Sequence, residues 1–138
     1  MKQAQTTITC DTPGRSLSEL TERISQWTAS TGIATGLLTV FCRHTSASLL
    51  IQENAAREVQ ADILDWLDRI APEDGGWRHD SEGPDDMPAH LKSLLTGASL
   101  SIPVAEGRPV LGTWQGVYLA EHRARPHRRQ IVLHLVGA

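Results

Sequence analysis

The last third of the chain alternates apolar and polar residues in short runs: SLSIPV (99 to 104), PVLGTW (109 to 114), GVYLAEH (116 to 122) and RRQIVLHLV (128 to 136). A period of two sends successive side chains to opposite faces, which is the pattern of half-buried strands rather than helices. QAQTTITC (3 to 10), IATGLLTVFCRH (33 to 44) and SLLIQ (48 to 52) read the same way, being rich in threonine, β-branched residues and leucine. Three helices interrupt these strands. In the first, Ser16 and Glu19 have capping-box spacing, Leu17, Leu20, Ile24 and Trp27 share a face, and Gly32 supplies the stop. The second starts at Asn54 as N-cap and repeats apolar residues at Val59, Ile63, Trp66, Leu67 and Ile70. The third is AHLKSLLT (89 to 96), bracketed by Pro88 and Gly97. The order β, α, β, β, α, α and then four strands contains no βαβα alternation, so the expected class is α+β with antiparallel sheets.

A chain of 138 residues suits one domain with one core. Its 40% hydrophobic and 21% charged residues exclude compositional disorder, and a net charge of −3 argues against nucleic acid as a main partner. Cys10 and Cys42 both lie inside alternating runs, so they are expected as reduced thiols and the compartment as cytoplasmic. The opening MKQAQTTITC has no apolar signal segment, and no window approaches the roughly 18 apolar residues of a membrane span.

Costly polar groups concentrate in HDSEGPDDMPAH (79 to 90). His79 and His90, joined by Asp85 or Asp86, offer an imidazole and carboxylate set suited to Zn²⁺, Mn²⁺ or a similar ion, although the spacing matches no established metal motif. A solvated acidic loop that caps the third helix is the competing reading. HTSAS (44 to 48) offers His44 with Ser46 and Ser48; without a G-x-S-x-G elbow, these hydroxyls suit phosphate oxygens better than nucleophilic attack. In GTWQG (112 to 116), the glycines flanking Trp114 and Gln115 mark a bulge or a close approach, with the aromatic either core or pocket lining. Alternation places Glu121 and Arg123 on one face and His122 on the other, and gives His127 and His134 no role.

Taken together, HTSASLLIQEN (44 to 54), PEDGGWRHDSEGPDDMPAHLKS (72 to 93) and the run from Ser99 through GTWQGVYLAEHR (112 to 123) resemble the three signature blocks of the YjbQ family, in order and nearly end to end. That family is described as secondary thiamine-phosphate synthases. The resemblance implies a compact antiparallel β-sandwich with about three helices, assembled as a homotrimer with clefts between subunits. It also implies one shared site of His44, Ser46, Ser48, His79, Asp86, His90, Lys92, Gln115, Glu121 and Arg123, with a divalent metal (Zn, Mg or Mn) at His79, His90 and Asp86. The implied reaction joins hydroxymethylpyrimidine diphosphate to thiazole phosphate, a small phosphorylated heterocycle, with release of pyrophosphate. Lys92 and Arg123 would take the diphosphate, and Trp114 would stack on a ring. Alternatives that use the same residues are a non-enzymatic trimeric binder of metal or small anions and a metal-dependent phosphate-ester hydrolase. Two positions depart from the family pattern: Ala56 and Ser81 stand where acids are common, so no role is assigned there.

Overall fold

Strands form where the period-two pattern runs, and a computed structural model describes residues 1–138 as β1 (Lys2–Thr12), β2 (Ser16–Glu19), α1 (Thr21–Ser30), β3 (Gly36–Cys42), β4 (Ala47–Glu53), α2 (Arg57–Ile70), α3 (Asp86–Thr96), β5 (Ser99–Ala105), β6 (Arg108–Pro109), β7 (Gln115–Glu121) and β8 (His127–Gly137). The α+β class holds, with three helices and two antiparallel sheets, ordered β1-β8-β3-β5-β6 and β2-β7-β4. Both sheets feed one core. Leu38, Val40, Ile102, Val104, Ile131, Leu133 and Leu135 come from the larger sheet, Ala47, Leu49, Val117 and Leu119 from the smaller, and Leu20 and Ile24 from the start of α1. Each fully buried aliphatic side chain contributes roughly 1.5–3 kcal/mol. Cys10 and Cys42 are buried free thiols. No helix is long and apolar enough to cross a membrane.

Three local expectations change. Ser16–Glu19 is a strand, not a capped helix start: Leu17, Ser18 and Glu19 pair with Ala120, Leu119 and Tyr118 of β7, and Ser16 Oγ donates to the Gly14 carbonyl (2.8 Å). Sheet pairing outbids the capping box, and the helix begins only at Thr21, whose hydroxyl accepts from the Val117 N–H (2.9 Å). Asn54 does not cap α2, whose N-cap is Ala56 with no side-chain cap; Glu53 closes the turn before it by accepting from the Ala55 and Ala56 N–H groups (3.2 and 3.1 Å), while Asn54 donates across to Glu19 (3.1 Å). In the stretch 109 to 114, only Pro109 belongs to a strand, because the Gly112 N–H donates to Gln115 Oε1 (2.8 Å) and closes a turn that leaves Trp114 exposed.

β7 is buried from Gly116 to Glu121, which is why alternation is weak there. Val117 and Leu119 face the core, and the Tyr118 hydroxyl accepts from Gln60 of α2 (2.8 Å). At the strand's end Glu121, fully buried, accepts from Arg129 Nε of β8 (2.8 Å) and from the Thr12 hydroxyl of β1 (2.7 Å), so one carboxylate ties the two sheets together. Arg129 Nη2 also donates to Ser46 Oγ (3.0 Å). A buried charge stripped of its partner is strongly destabilising. Arg129→Met is therefore expected to cost about 3–5 kcal/mol in urea unfolding, and adding Glu121→Gln should recover much of that loss; an Arg129→Met protein as stable as wild type would show that the pair does not join the sheets.

Candidate functional site

The site is built on the first two turns of α3. Asp86 and His90 are four residues apart and share a helix face, and His79 arrives from the preceding loop. Asp86 is 3% exposed. Its Oδ2 lies 2.7 Å from His79 Nε2 and 3.2 Å from His90 Nε2, and its Oδ1 accepts from Arg123 Nη1 (2.7 Å). Arg123 stands just beyond β7 and spends its whole fork on this wall, with Nε on Asp85 (2.9 Å) and Nη2 on the Glu82 carbonyl (2.9 Å). Its guanidinium thus fixes the Asp86 carboxylate with one oxygen turned to the histidines. Asp85, the other candidate acid, is instead bound to Arg123 and to the Ala124 N–H (2.8 Å).

Electrostatics follow this geometry. Burial alone would raise Asp86, but the hydrogen bond from His79 and the charges of Arg123 and His90 outweigh it and hold the carboxyl below its ordinary range. His79 is raised, chiefly by its bond to Asp86. The tautomer of His90 is set by its other nitrogen: Nδ1 lies 2.8 Å from the Thr45 carbonyl, which only accepts, so Nδ1 carries a proton. In the neutral ring, Nε2 is then a lone pair facing a carboxylate oxygen.

Ligand atoms of His79, Asp86 and His90 lie within 4.8 Å of one another. Their two histidine–carboxylate separations, 2.7 and 3.2 Å, are close to the edge of about 3–3.5 Å that a tetrahedral or octahedral ion with bonds of 2.0–2.2 Å requires. An N₂O donor set with one oriented carboxylate and one oriented imidazole fits a divalent cation, with further coordination positions left open.

Within the chain, the other sequence candidates do not gather around this cluster. His44 Nε2 accepts from the Gln130 N–H (2.8 Å), and burial, then the Arg129 charge, lower its pKa. Ser46 and Ser48 are buried, bound to Arg129 and His122, so neither hydroxyl faces an incoming phosphate. Glu121 belongs to the inter-sheet pair. Lys92 is buried against Asp68 (2.6 Å). Gln115 and Trp114 lie at the opposite end of β7 from Glu121, roughly 20 Å away at about 3.3 Å per residue.

The family model described as UPF0047 protein YjbQ-like matches residues 6–138. The chain belongs to the YjbQ family. It is 49% identical over 137 residues to the UPF0047 protein sll1880 of Synechocystis, covering 99% of this chain and 93% of that one. It is 41% identical over 134 residues to the UPF0047 protein YjbQ of Salmonella typhimurium, covering 96% and 97%. Among solved structures, a YbjQ-like protein of unknown function from Sulfolobus solfataricus superposes with a TM-score of 0.89 at 25% identity, over 99% of this chain and 100% of the other. The conserved hypothetical protein TT1486 of Thermus thermophilus gives 0.86 at 34%, over 95% and 99%.

These YjbQ relatives overturn the expected thiamine-phosphate synthesis, and the transferase assignment with it: they carry names that state no reaction, and nothing in them indicates that activity. Within one chain, Trp114, expected to stack on the heterocycle, sits at the far end of β7 from Arg123, whose guanidinium is bound to Asp85 and Asp86.

Two buried residues escaped the sequence reading. Arg129 stands in a basic stretch with Arg123, Arg125 and Arg128, and only its β8 register turns it inward. His122, 2% exposed, has Nε2 2.8 Å from Ser48 Oγ and no partner for Nδ1, a deficit of about 1–3 kcal/mol for a buried polar atom. Burial, helped by the Lys92 charge, pushes its pKa down to about 4. Between the unfolded value of 6.5 and about 4, the unfolded chain binds a proton that the native chain refuses, so His122 withdraws stability as the pH falls through that window, by roughly 3 kcal/mol in all. The pH dependence of unfolding free energy in His122→Gln should accordingly be flatter than wild type between about pH 6.5 and 4; parallel curves would mean that His122 is not buried neutral.

Proposed function

We propose that this YjbQ protein is a divalent-metal-binding protein whose centre is His79, Asp86 and His90, with a zinc, manganese or magnesium ion as the class of occupant. The observation that carries the reading is the orientation of His90: with Nδ1–H given to the Thr45 carbonyl, Nε2 is turned to Asp86 Oδ2 at 3.2 Å, and in the neutral ring a divalent cation takes the place of the bridging proton between the two atoms. Arg123 supports it by holding the other Asp86 oxygen. A bound ion with open positions supplies Lewis acidity toward an oxygen of a small ligand. The chain's own residues orient the donors, keep Asp86 ionised and screen its charge.

The same proposal includes face-to-face packing of the two sheets as a sandwich, a reducing compartment that suits the free Cys10 and Cys42, and assembly of three chains. Two separate apolar areas support assembly: Trp66, Ile70, Leu94 and Leu95 on α2 and α3, and Leu37 and Phe41 on the outer face of β3. A ring built head to tail uses two different patches per subunit, whereas a twofold dimer uses one.

His79→Ala and His90→Ala are each expected to lose most of the metal bound per folded chain, and His134→Ala, in β8 and bonded to Gln5 (3.0 Å), to retain it. Metal content by mass spectrometry decides this, and wild-type occupancy in both loop variants would sink the metal reading. Light scattering should give three chain masses at micromolar concentration; a monomer there would rule out the ring.

A further inference from the structure

Helix α3 has a second polar side. Pro88 and Lys92 are offset by two residues from Asp86 and His90, about 200° around the helix, and with Arg15, Asp68 and His122 they line a cavity of about 290 Å³. The Lys92 side chain, 6% exposed, has one side-chain partner, Asp68 Oδ1 at 2.6 Å, while Asp68 Oδ2 meets Arg15 Nη1 at 2.9 Å. Two cations therefore share one carboxylate, and that carboxylate is itself 41% exposed. Lys92 keeps two N–H donors and Arg15 most of its fork for other acceptors.

His122 presents the complementary group. The Thr96 hydroxyl has one proton and donates it to the Lys92 carbonyl (2.8 Å), so in the 2.5 Å contact between Ser48 and Thr96 the donor is Ser48. Ser48 then has no proton left for His122, and His122 Nε2–H must donate to Ser48 Oγ (2.8 Å). Nδ1 remains a bare lone pair, buried and without a donor. Ser48 is fully buried, so this is no nucleophilic pair. His122 lines the same cavity, although Nδ1 itself is covered, so a ligand settling there would serve both ends if it accepts from Lys92 and Arg15 and donates to Nδ1.

We propose that the cavity binds a small tetrahedral oxyanion that still carries a proton, hydrogenphosphate being the simplest, with its charged oxygens on Lys92 and Arg15 and its O–H on His122 Nδ1. Asp68 is the resident counter-ion, which the ligand displaces toward the solvent that it already half faces. Glu73, at the same cavity, disfavours more highly charged anions, and Asp85, the other acid there, is already neutralised by Arg123 (2.9 Å). This site does not rest on the metal reading, because the metal donors occupy the other side of α3.

Calorimetric titration with inorganic phosphate and with sulfate at about pH 7.5 tests it, since phosphate then keeps a proton and sulfate has none. The wild type should bind phosphate at least about tenfold more tightly than sulfate, because an unmatched buried acceptor rejects the anion that cannot donate. His122→Gln should bring the two anions within about threefold of each other, Asp68→Asn should tighten both, and Lys92→Met should lose both, each variant being checked for an intact thermal transition. The His79→Ala/His90→Ala double variant should still bind phosphate as wild type does. Absence of phosphate binding, equal binding of the two anions by wild type, or loss of phosphate in the double histidine variant would overturn the proposal.

Discussion

The structure depends on one buried ion pair. Glu121 ends the central strand of the smaller sheet and its carboxylate gathers Arg129 and Thr12 of the larger one out of contact with water, while Arg129 also donates to Ser46, which leads into β4. Burying two charges costs more than a hydrophobic pair of equal volume unless the geometry is saturated with hydrogen bonds, and here it is nearly so. Burial would raise the Glu121 pKa, but Arg129, Thr12 and the Arg123 N–H together hold it down, so the carboxylate stays charged and the registration of the sheets is specified by a directional contact rather than by apolar area alone.

From that anchor, three consecutive residues reach three environments. Glu121 stays in the sheet junction, His122 turns to Ser48 and the cavity behind α3, and Arg123 leaves the sheet to clamp the loop and the first turn of α3. The cluster at His79, Asp86 and His90 is thus held by the end of β7 even though it is carried by a loop and a helix. Helix α3 is a partition between two polar regions. One side carries His79, Asp86 and His90, and the other Lys92 with Asp68, Arg15 and the unpartnered nitrogen of His122.

Much of this was legible in the residues themselves. The alternating runs placed the strands, the prolines and glycines placed α3, and the two histidines with Asp85 or Asp86 stood out because such groups are costly to crowd together without a partner. What misled was local chemistry with two outlets. Ser16 and Glu19 have the right spacing for a helix cap, but the same backbone groups pair with β7. Asn54 is a good cap by type, yet its amide donates to Glu19 and α2 begins only after Ala56, without a side-chain cap. His44, Ser46 and Ser48 look like a polar site in HTSAS, but the turn into β4 points the serines inward to Arg129 and His122.

The sequence by itself determined the α+β class, the family and the crowding of histidines and carboxylates between 79 and 90, because periodicity, turn chemistry and residue type are properties of neighbouring residues. Tertiary structure alone decided which arginine is buried, that Trp114 and Gln115 lie roughly 20 Å from Glu121, and that His122 has an unfilled nitrogen. Those facts depend on strand register and on what lies across a sheet or behind a helix. Partners such as Glu121 with Thr12 or Arg123 with Asp86 are separated by 109 and 37 positions, and no local pattern records the distance between them in space.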